Sequence, residues 1–517
     1  MNIELESLLV EIGKLPDWYH TPSLRQAVAS ATSSLSEPVN IGVVGLIKAG
    51  KSTFVNALIG DHVARVGNIE TTYNVCKYQH GSSKSFEVVH HDGTVTHVNT
   101  LDEVLDFTIR SGSIDNLALN SIDLIRIGYP SNILRQINIL DTPGLSSVYE
   151  TDEDNTKRFL QNHGDELSEI TMNSLSTCDA VLYLFSKGVH QSFSETLKNY
   201  VNNGDVTPLR SVGILSKVDM YFDVEEQTDV MPVARRIMSR LYEQDGLNKH
   251  FHSIMPLCGR LASGCHMLNE ADIEVIREIC ELPSPEYIRF FRAVKRLNDI
   301  ESFTSIDFKK RNSLVDTIGL YGMYRLTVHY QNGVRNIPDF QSLLLEDSGI
   351  VAIRSMITGH FGARRTAIKA KQITETLTRV WAHNKSKVDV SNRRSTDIAI
   401  QRLQNYSLSH IKHNLDEVAA IRILLGRSTL ISDDIQHEAI RILGGYGSAL
   451  DSRIDVDFQD YFSSAIEYAI QRLNFWRQQL PIHSMLDRDL EFVTTVVIRS
   501  YEKITHRLKV AQSAFAD

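Results

Sequence analysis

Cysteine, proline and long apolar runs are scarce in this chain of 517 residues, which holds five Cys and 12 Pro. The cysteines, at 76, 178, 258, 265 and 280, are odd in number and irregularly spaced. That argues against a disulfide framework and predicts buried free thiols. Cys258, Cys265 and His266 lack a CxxC partner, and a closed zinc site needs four ligands at tight spacings. No stretch approaches the roughly 20 apolar residues of a membrane span. The N-terminus has no basic region followed by an apolar core, so the expectation is a cytoplasmic protein with at most peripheral membrane contact. With no low-complexity run or short-period repeat, a long disordered tract is not expected. The length exceeds one ordinary core and predicts two or more domains.

Net charge is −9, which disfavours a general nucleic-acid binder. The charge is unevenly spread: acids outnumber bases 45 to 31 up to residue 350, and bases outnumber acids 23 to 18 after it. A basic second half is either a solvated helix surface or a surface attracted to anionic lipid headgroups.

What is present begins with GLIKAGKSTFVNALIG at residues 45–60. Gly45, Gly50, Lys51 and Ser52 fit GxxxxGK[ST], between an apolar strand, VNIGVV, and a segment of helical spacing. Glycines at these positions let backbone N–H groups converge on phosphates. Ala49, Gly50 and Thr53 belong to the same cradle, Lys51 reaches the outer phosphates, and Ser52 ligates Mg²⁺. About 90 residues on, INILDTPG brings Asp141 to the end of a strand, where an acid holds Mg²⁺ and the Gly144 amide senses a γ-phosphate. An Asp-initiated turn is the other use of such residues.

RSVGILSKVD ends a further strand at Ser216, Lys217, Val218 and Asp219, close to [NT]KxD. Its carboxylate pairs with the N1 and exocyclic amino donors of guanine, so Asp219 selects GTP; Ser216 departs from the usual Asn or Thr. In HSIMPLCGRLA, Cys258 and Gly259 stand where a base-covering turn commonly has Ser-Ala. Between the loop and DTPG, IETTYNVCKY offers Thr71 and Thr72 as a switch hydroxyl for Mg²⁺ and the attacking water. The four elements occur in the order of a GTPase.

AVLYLF at 180–185 is another strand, and SFEVVHHDGTVTHV reads as a hairpin turning at Asp92-Gly93. The expected fold is therefore an α/β P-loop GTPase domain with a mostly parallel sheet and helices on both faces, over residues 38–300. Residues 1–37 are expected as N-terminal helices, and 301–517 as a long all-α helical bundle. One apolar stripe there runs through Leu408, Ile411, Leu415, Val418, Ile421 and Leu425. A second includes Ile466, Ala469, Leu473 and Trp476, and a third Leu490, Val493, Val497, Tyr501, Ile504 and Leu508. The last two, joined through Pro481, predict an antiparallel hairpin about 40 Å long.

This arrangement resembles the dynamin-like large GTPases. LIKAGKSTFVNALIG, LYGMYRL (320–326), SGIVAIRSMITGHFGARRTAIKA (348–370) and LLGRSTLISDDI (424–435) with the following LGGYGS are similar to the bacterial members. The nearest likeness is to the isoniazid-inducible dynamin-like proteins of mycobacteria and their relatives. The resemblance implies GTP hydrolysis coupled to G-domain dimerisation, self-assembly and membrane remodelling, with the helical half as neck and stalk. It also implies a second dynamin-like subunit as a possible partner, and it selects Thr72 as the switch threonine. Lys48 stands where related proteins place an internal arginine finger or a cation-holding serine, so charge supplied in cis is expected of it. No paddle or pleckstrin-like insert is visible; Leu443 to Ala449 and Pro481 to Leu486 are the candidate lipid-facing loops, a helix cap and a hairpin turn being the alternatives. Two other readings are a GTP-dependent switch acting on a protein partner and the low-activity subunit of a heteromeric pair.

Overall fold

The computed structural model describes residues 2–15, 22–45, 48–64, 74–108, 121–142, 178–186, 210–243, 247, 250–296, 308–362, 364–426, 431–445, 450–454 and 462–516. Its contacts divide the chain into two compact units: residues 40–354, apart from 208–210, form one, and residues 1–39, 208–210 and 355–517 form the other.

The first unit is built on nine strands. These are β1 (Val39–Gly45), β2 (Cys76–His80), β3 (Ser85–His90), β4 (Val95–Val98), β5 (Ile122–Tyr129), β6 (Ile137–Asp141), β7 (Ala180–Phe185), β8 (Ser211–Leu215) and β9 (Ile254–Pro256), in the order β4-β3-β5-β2-β6-β1-β7-β8-β9. From β1 through β7 and β8 to β9 the pairing is parallel. Every residue of β6, β7 and β8 is buried, which requires cover on both faces and explains their near-continuous apolar sequences. At the other edge β3 pairs antiparallel with β4 around Asp92-Gly93, as the alternation predicts, and β4 is exposed.

This unit extends past residue 300, the boundary expected from sequence. The helix Phe308–Gln331 places Leu314, Ile318, Tyr321, Met323 and Leu326 in one core with Phe185, Leu215, Val218, Cys258 and Leu261 of the sheet half. Its apolar period is that of any long helix, so periodicity alone did not reveal that it packs against the sheet unit.

In the other unit, α1 (Asn2–Gly13) and α2 (Pro22–Ser36) pack with the helix Arg365–Asn384 and the first half of the helix Val390–Gly426. That last helix has 37 residues, about 55 Å at 1.5 Å per residue. Its second half buries Ala420, Ile421 and Leu424 in a separate core with the helices Asp433–Ile442, Phe462–Leu486 and Arg488–Ala516. The predicted stripes are the buried faces: Ile411, Val418 and Ile421 on one helix, Ala469, Leu473 and Trp476 on the next, and Val493, Val497, Tyr501, Ile504 and Leu508 on the last.

Two expectations are corrected here. Pro481 does not form the hairpin bend; it lies inside the helix Phe462–Leu486, and the chain reverses at Asp487, whose carboxylate accepts from the Asp489 and Leu490 N–H groups and caps the last helix. Nor do Leu443 and Gly444 face outward. Both are buried, and the Leu443 carbonyl accepts from Arg364 at 2.8 Å, so this is a helix cap. Residues 446–449 lie outside the described residues.

Candidate functional site

β1 delivers the chain to the loop that opens α3 (Lys51–Ile59). Gly50 caps this helix at φ 89, a left-handed conformation that a residue with a Cβ adopts only under strain. The first N–H groups of an α-helix have no intrahelical partner, which makes this end of α3 a candidate anion site. Lys51 is buried, its Nζ 3.4 Å from the Gly45 carbonyl, and Ala49 is buried beside it. Lys48 is exposed at φ 62. Among described non-glycine residues only Lys48, Lys217 and Gln227 have positive φ, and the first two belong to the expected nucleotide loops.

β6 neighbours β1, so Asp141 at its end reaches the start of α3: Ser52 Oγ lies 3.5 Å from Asp141 Oδ2. The next residue, Thr142, donates its hydroxyl to the Val43 carbonyl at 2.8 Å and fastens the DTPG strand to β1. A serine hydroxyl beside a buried carboxylate is a pair of hard oxygen donors, which suits Mg²⁺ and not a softer metal. Among the described residues no group of three or more His, Cys, Asp and Glu side chains is placed to hold a metal ion.

β8 brings in the third element. Ser216 is buried and donates its hydroxyl to the Ala49 carbonyl at 2.7 Å, with the Phe185 carbonyl at 3.1 Å. The departure from Asn or Thr therefore keeps a link between the base-reading turn and the phosphate loop. Lys217, left-handed at φ 56, turns the chain into a short 3₁₀ segment carrying Asp219. Lys217 and Asp219 line a cavity of about 900 Å³ together with Ala49, Gly50, Thr53 and Gly259.

Cys258 sits behind this wall. It is fully buried, Leu257 and Gly259 on either side of it line the cavity, and its N–H donates to the Ser348 carbonyl at 2.9 Å. Burial, and then the neighbouring Asp219 carboxylate, push its thiol well above the ordinary range, so it is a neutral S–H group hydrogen-bonded to Asp219. Thr72 and Gly144 lie outside the described residues.

The far wall was missed by sequence reasoning. Asn312, Asp316 and Thr317 of the helix Phe308–Gln331 line the same cavity, from a segment assigned to the helical half. No phosphate or base motif marks them; they reach the site only because their helix packs on the sheet unit.

Residues 41–218 match the model of the dynamin family. The chain is 26% identical over 475 residues, 90% of each chain, to the isoniazid-induced protein IniC of Mycobacterium tuberculosis. It is 25% identical to the isoniazid-induced protein IniA of the same organism over 42% of this chain and 32% of that one. Among solved structures, an oligomerised bacterial dynamin pair aligns over 99% of this chain and 91% of that one, at 13% identity and a TM-score of 0.32. Era of Aquifex aeolicus aligns over 43% of this chain and 52% of its own, at 17% identity and a TM-score of 0.23. Residues 41–218, from the phosphate loop to the Lys217–Val218 turn, thus match the dynamin family, and over most of its length the chain is similar to a mycobacterial isoniazid-induced protein, a likeness consistent with a bacterial dynamin-like GTPase.

Proposed function

We propose that this protein hydrolyses GTP to GDP and phosphate with Mg²⁺, and that turnover is coupled to dimerisation of its GTPase domains at a membrane surface. The observation that carries the reading is convergence: Ala49, Gly50 and Thr53 of the phosphate loop and Lys217 and Asp219 of the SKVD turn line one cavity, and Ser52, beside them at the start of α3, lies 3.5 Å from Asp141.

Lys51 and the α3 amides hold the phosphates and oppose the charge that builds on them during transfer. Asp219 accepts from the two guanine donors, with Cys258 and Ser216 fixing the turns around it. Ser52, Thr72 and Asp141 would hold the Mg²⁺, which would supply positive charge against the phosphates. Thr72 also orients the attacking water, and the Gly144 amide senses the γ-phosphate. Lys48 supplies positive charge in cis once two GTPase domains pair. Replacing Lys48 with Ala or Ser lowers dimer-stimulated kcat on this reading; an unchanged kcat with no new K⁺ dependence overturns the role.

Membrane contact is assigned to the hairpin end, where Met485 is 88%, Leu486 61% and Ile482 52% exposed. The contact assigned is peripheral, on the cytoplasmic face; among the described residues no helix is long and apolar enough to cross a bilayer. The partners proposed are GTP and GDP, a second copy of the chain, anionic lipid and a second dynamin-like subunit, with no nucleic acid. GTPase rate measured against protein concentration, with and without anionic liposomes, tests the whole reading. A cooperative rise on liposomes supports it; a low, concentration-independent rate that lipid leaves unchanged overturns the coupling.

A further inference from the structure

The helix that starts at the phosphate loop has a second end, and an arginine almost 300 residues away holds it. At the C-terminus of α3 the last carbonyls have no intrahelical donor and carry the negative end of the helix dipole. Arg354 donates Nη2 to the Ala57 carbonyl at 2.7 Å and Nε to the Leu58 carbonyl at 3.2 Å. A Cβ on the next residue but one, Gly60, would lie 3.3 Å from the same guanidinium. The turn after the helix is fastened from within: Asn56 Oδ1 accepts from the Val63 and Ala64 N–H groups at 2.9 and 2.7 Å, and Tyr129 donates to Asp61.

Arg354 is itself anchored through its own segment. Asp347 accepts two hydrogen bonds from Arg325 at 2.8 Å and one from His329 at 2.7 Å. Ser348 then accepts from the Cys258 N–H. Gly349 follows at φ +82, where a Cβ would come within 2.4 Å of the Pro256 carbonyl, so the segment lies directly on the end of β9. Six residues therefore join the turn behind Asp219 to the far end of the helix that carries Lys51 and Ser52.

We propose that Arg354 is a positioning residue of the GTPase site, setting the placement of α3 and of the Gly60–Ala64 turn relative to the base-reading turn. The proposal rests on the GTPase reading above. α3 has nine residues and is stiff along its axis, so its two ends move together. A planar guanidinium spans two successive carbonyls, whereas an ammonium is a point donor that satisfies one. Displacement of the helix origin by a fraction of an ångström alters the chemical step more than ground-state binding.

The test uses the full chain with Arg354→Ala and Arg354→Lys, comparing kcat, KM, melting temperature and amide hydrogen exchange without nucleotide. The expected result for R354A is kcat down about tenfold or more, with KM changed much less and an intermediate kcat for R354K. Amides of Gly60–Ala64 should exchange faster, while those of the distant β3–β4 hairpin stay unchanged. A folded R354A with wild-type kcat and exchange overturns the proposal, as does a loss of protection spread evenly over the unit. If R354A does not fold, R354K decides: reduced kcat at wild-type melting temperature supports the role, and wild-type kcat overturns it. Absence of GTP turnover in the unsubstituted protein counts against the GTPase reading, and the exchange comparison then still decides the placement role of Arg354.

Discussion

At the residue scale, the site depends on two side chains with different tasks. We assign base reading to Asp219, which lines the cavity with a neutral thiol behind it. Exchanging it for Asn replaces an acceptor by a donor opposite the guanine amino group. GTP affinity is expected to fall about a hundredfold, with xanthosine triphosphate gaining instead, as fluorescent nucleotide titration reads directly. Ser216 ties the turn to the phosphate loop, its hydroxyl donating to the Ala49 carbonyl. Ser216→Ala leaves a buried carbonyl short of its donor, at about 1–2 kcal/mol, so an affinity loss of about tenfold for GTP and GDP alike is expected in the same titration.

At the element scale, the second unit is locked by buried charge where helices meet. Glu417, from the long helix Val390–Gly426, accepts two hydrogen bonds from Arg453 at 2.9 and 3.0 Å and one from Ser500 at 2.9 Å. Burial pushes its carboxyl up, but the His413 hydrogen bond and the Arg453 and Arg364 guanidinium groups outweigh that and hold it at about 2. A depressed carboxyl stabilises the fold above its unfolded value of 4.5, and that contribution is lost as pH falls through the folded value near 2. Acid titration followed by circular dichroism should show helix loss across that window. Glu417→Gln should remove this dependence and also destabilise the unit by about 3–5 kcal/mol in urea, because the buried Arg364 and the half-buried Arg453 lose their counter-charge. Burial, and the neighbouring Arg453, already lower Arg364 to about 10 even with Glu417 opposing them.

At the scale of the whole molecule, the proposed chemistry and the proposed membrane contact belong to different compact units: the candidate nucleotide cavity lies within residues 40–354, and the exposed hairpin end lies in the other. Changing Met485 and Leu486 together to Glu should therefore abolish co-sedimentation with anionic liposomes and the lipid-stimulated rate, leaving nucleotide affinity and the basal rate as they were. Because charge attraction to lipid is screened over about 10 Å at 0.1 M salt, the wild-type interaction should weaken as salt rises but persist in part through the apolar side chains. Loss of GTP binding in the double variant would contradict the assignment of the two tasks to separate units.

The sequence by itself determined the local matters: a glycine where φ is positive at position 50, a lysine and serine at the start of a helix, and alternation giving the β3–β4 hairpin. The helical stripes were equally legible, since a period of three and four names a buried face without naming its neighbour. Only the tertiary structure decided which neighbours those are. Helix Phe308–Gln331 joined the sheet unit and lent Asn312 and Asp316 to the nucleotide cavity, Pro481 stayed inside a helix because packing outweighed one missing hydrogen bond, and Leu443–Gly444 became a buried cap. The contact of Arg354 with Ala57 and Leu58 had no sequence signal at all. A side chain's periodicity and backbone preference are written within a few residues of it, whereas the partner of a guanidinium almost 300 residues away is fixed only when the chain has packed.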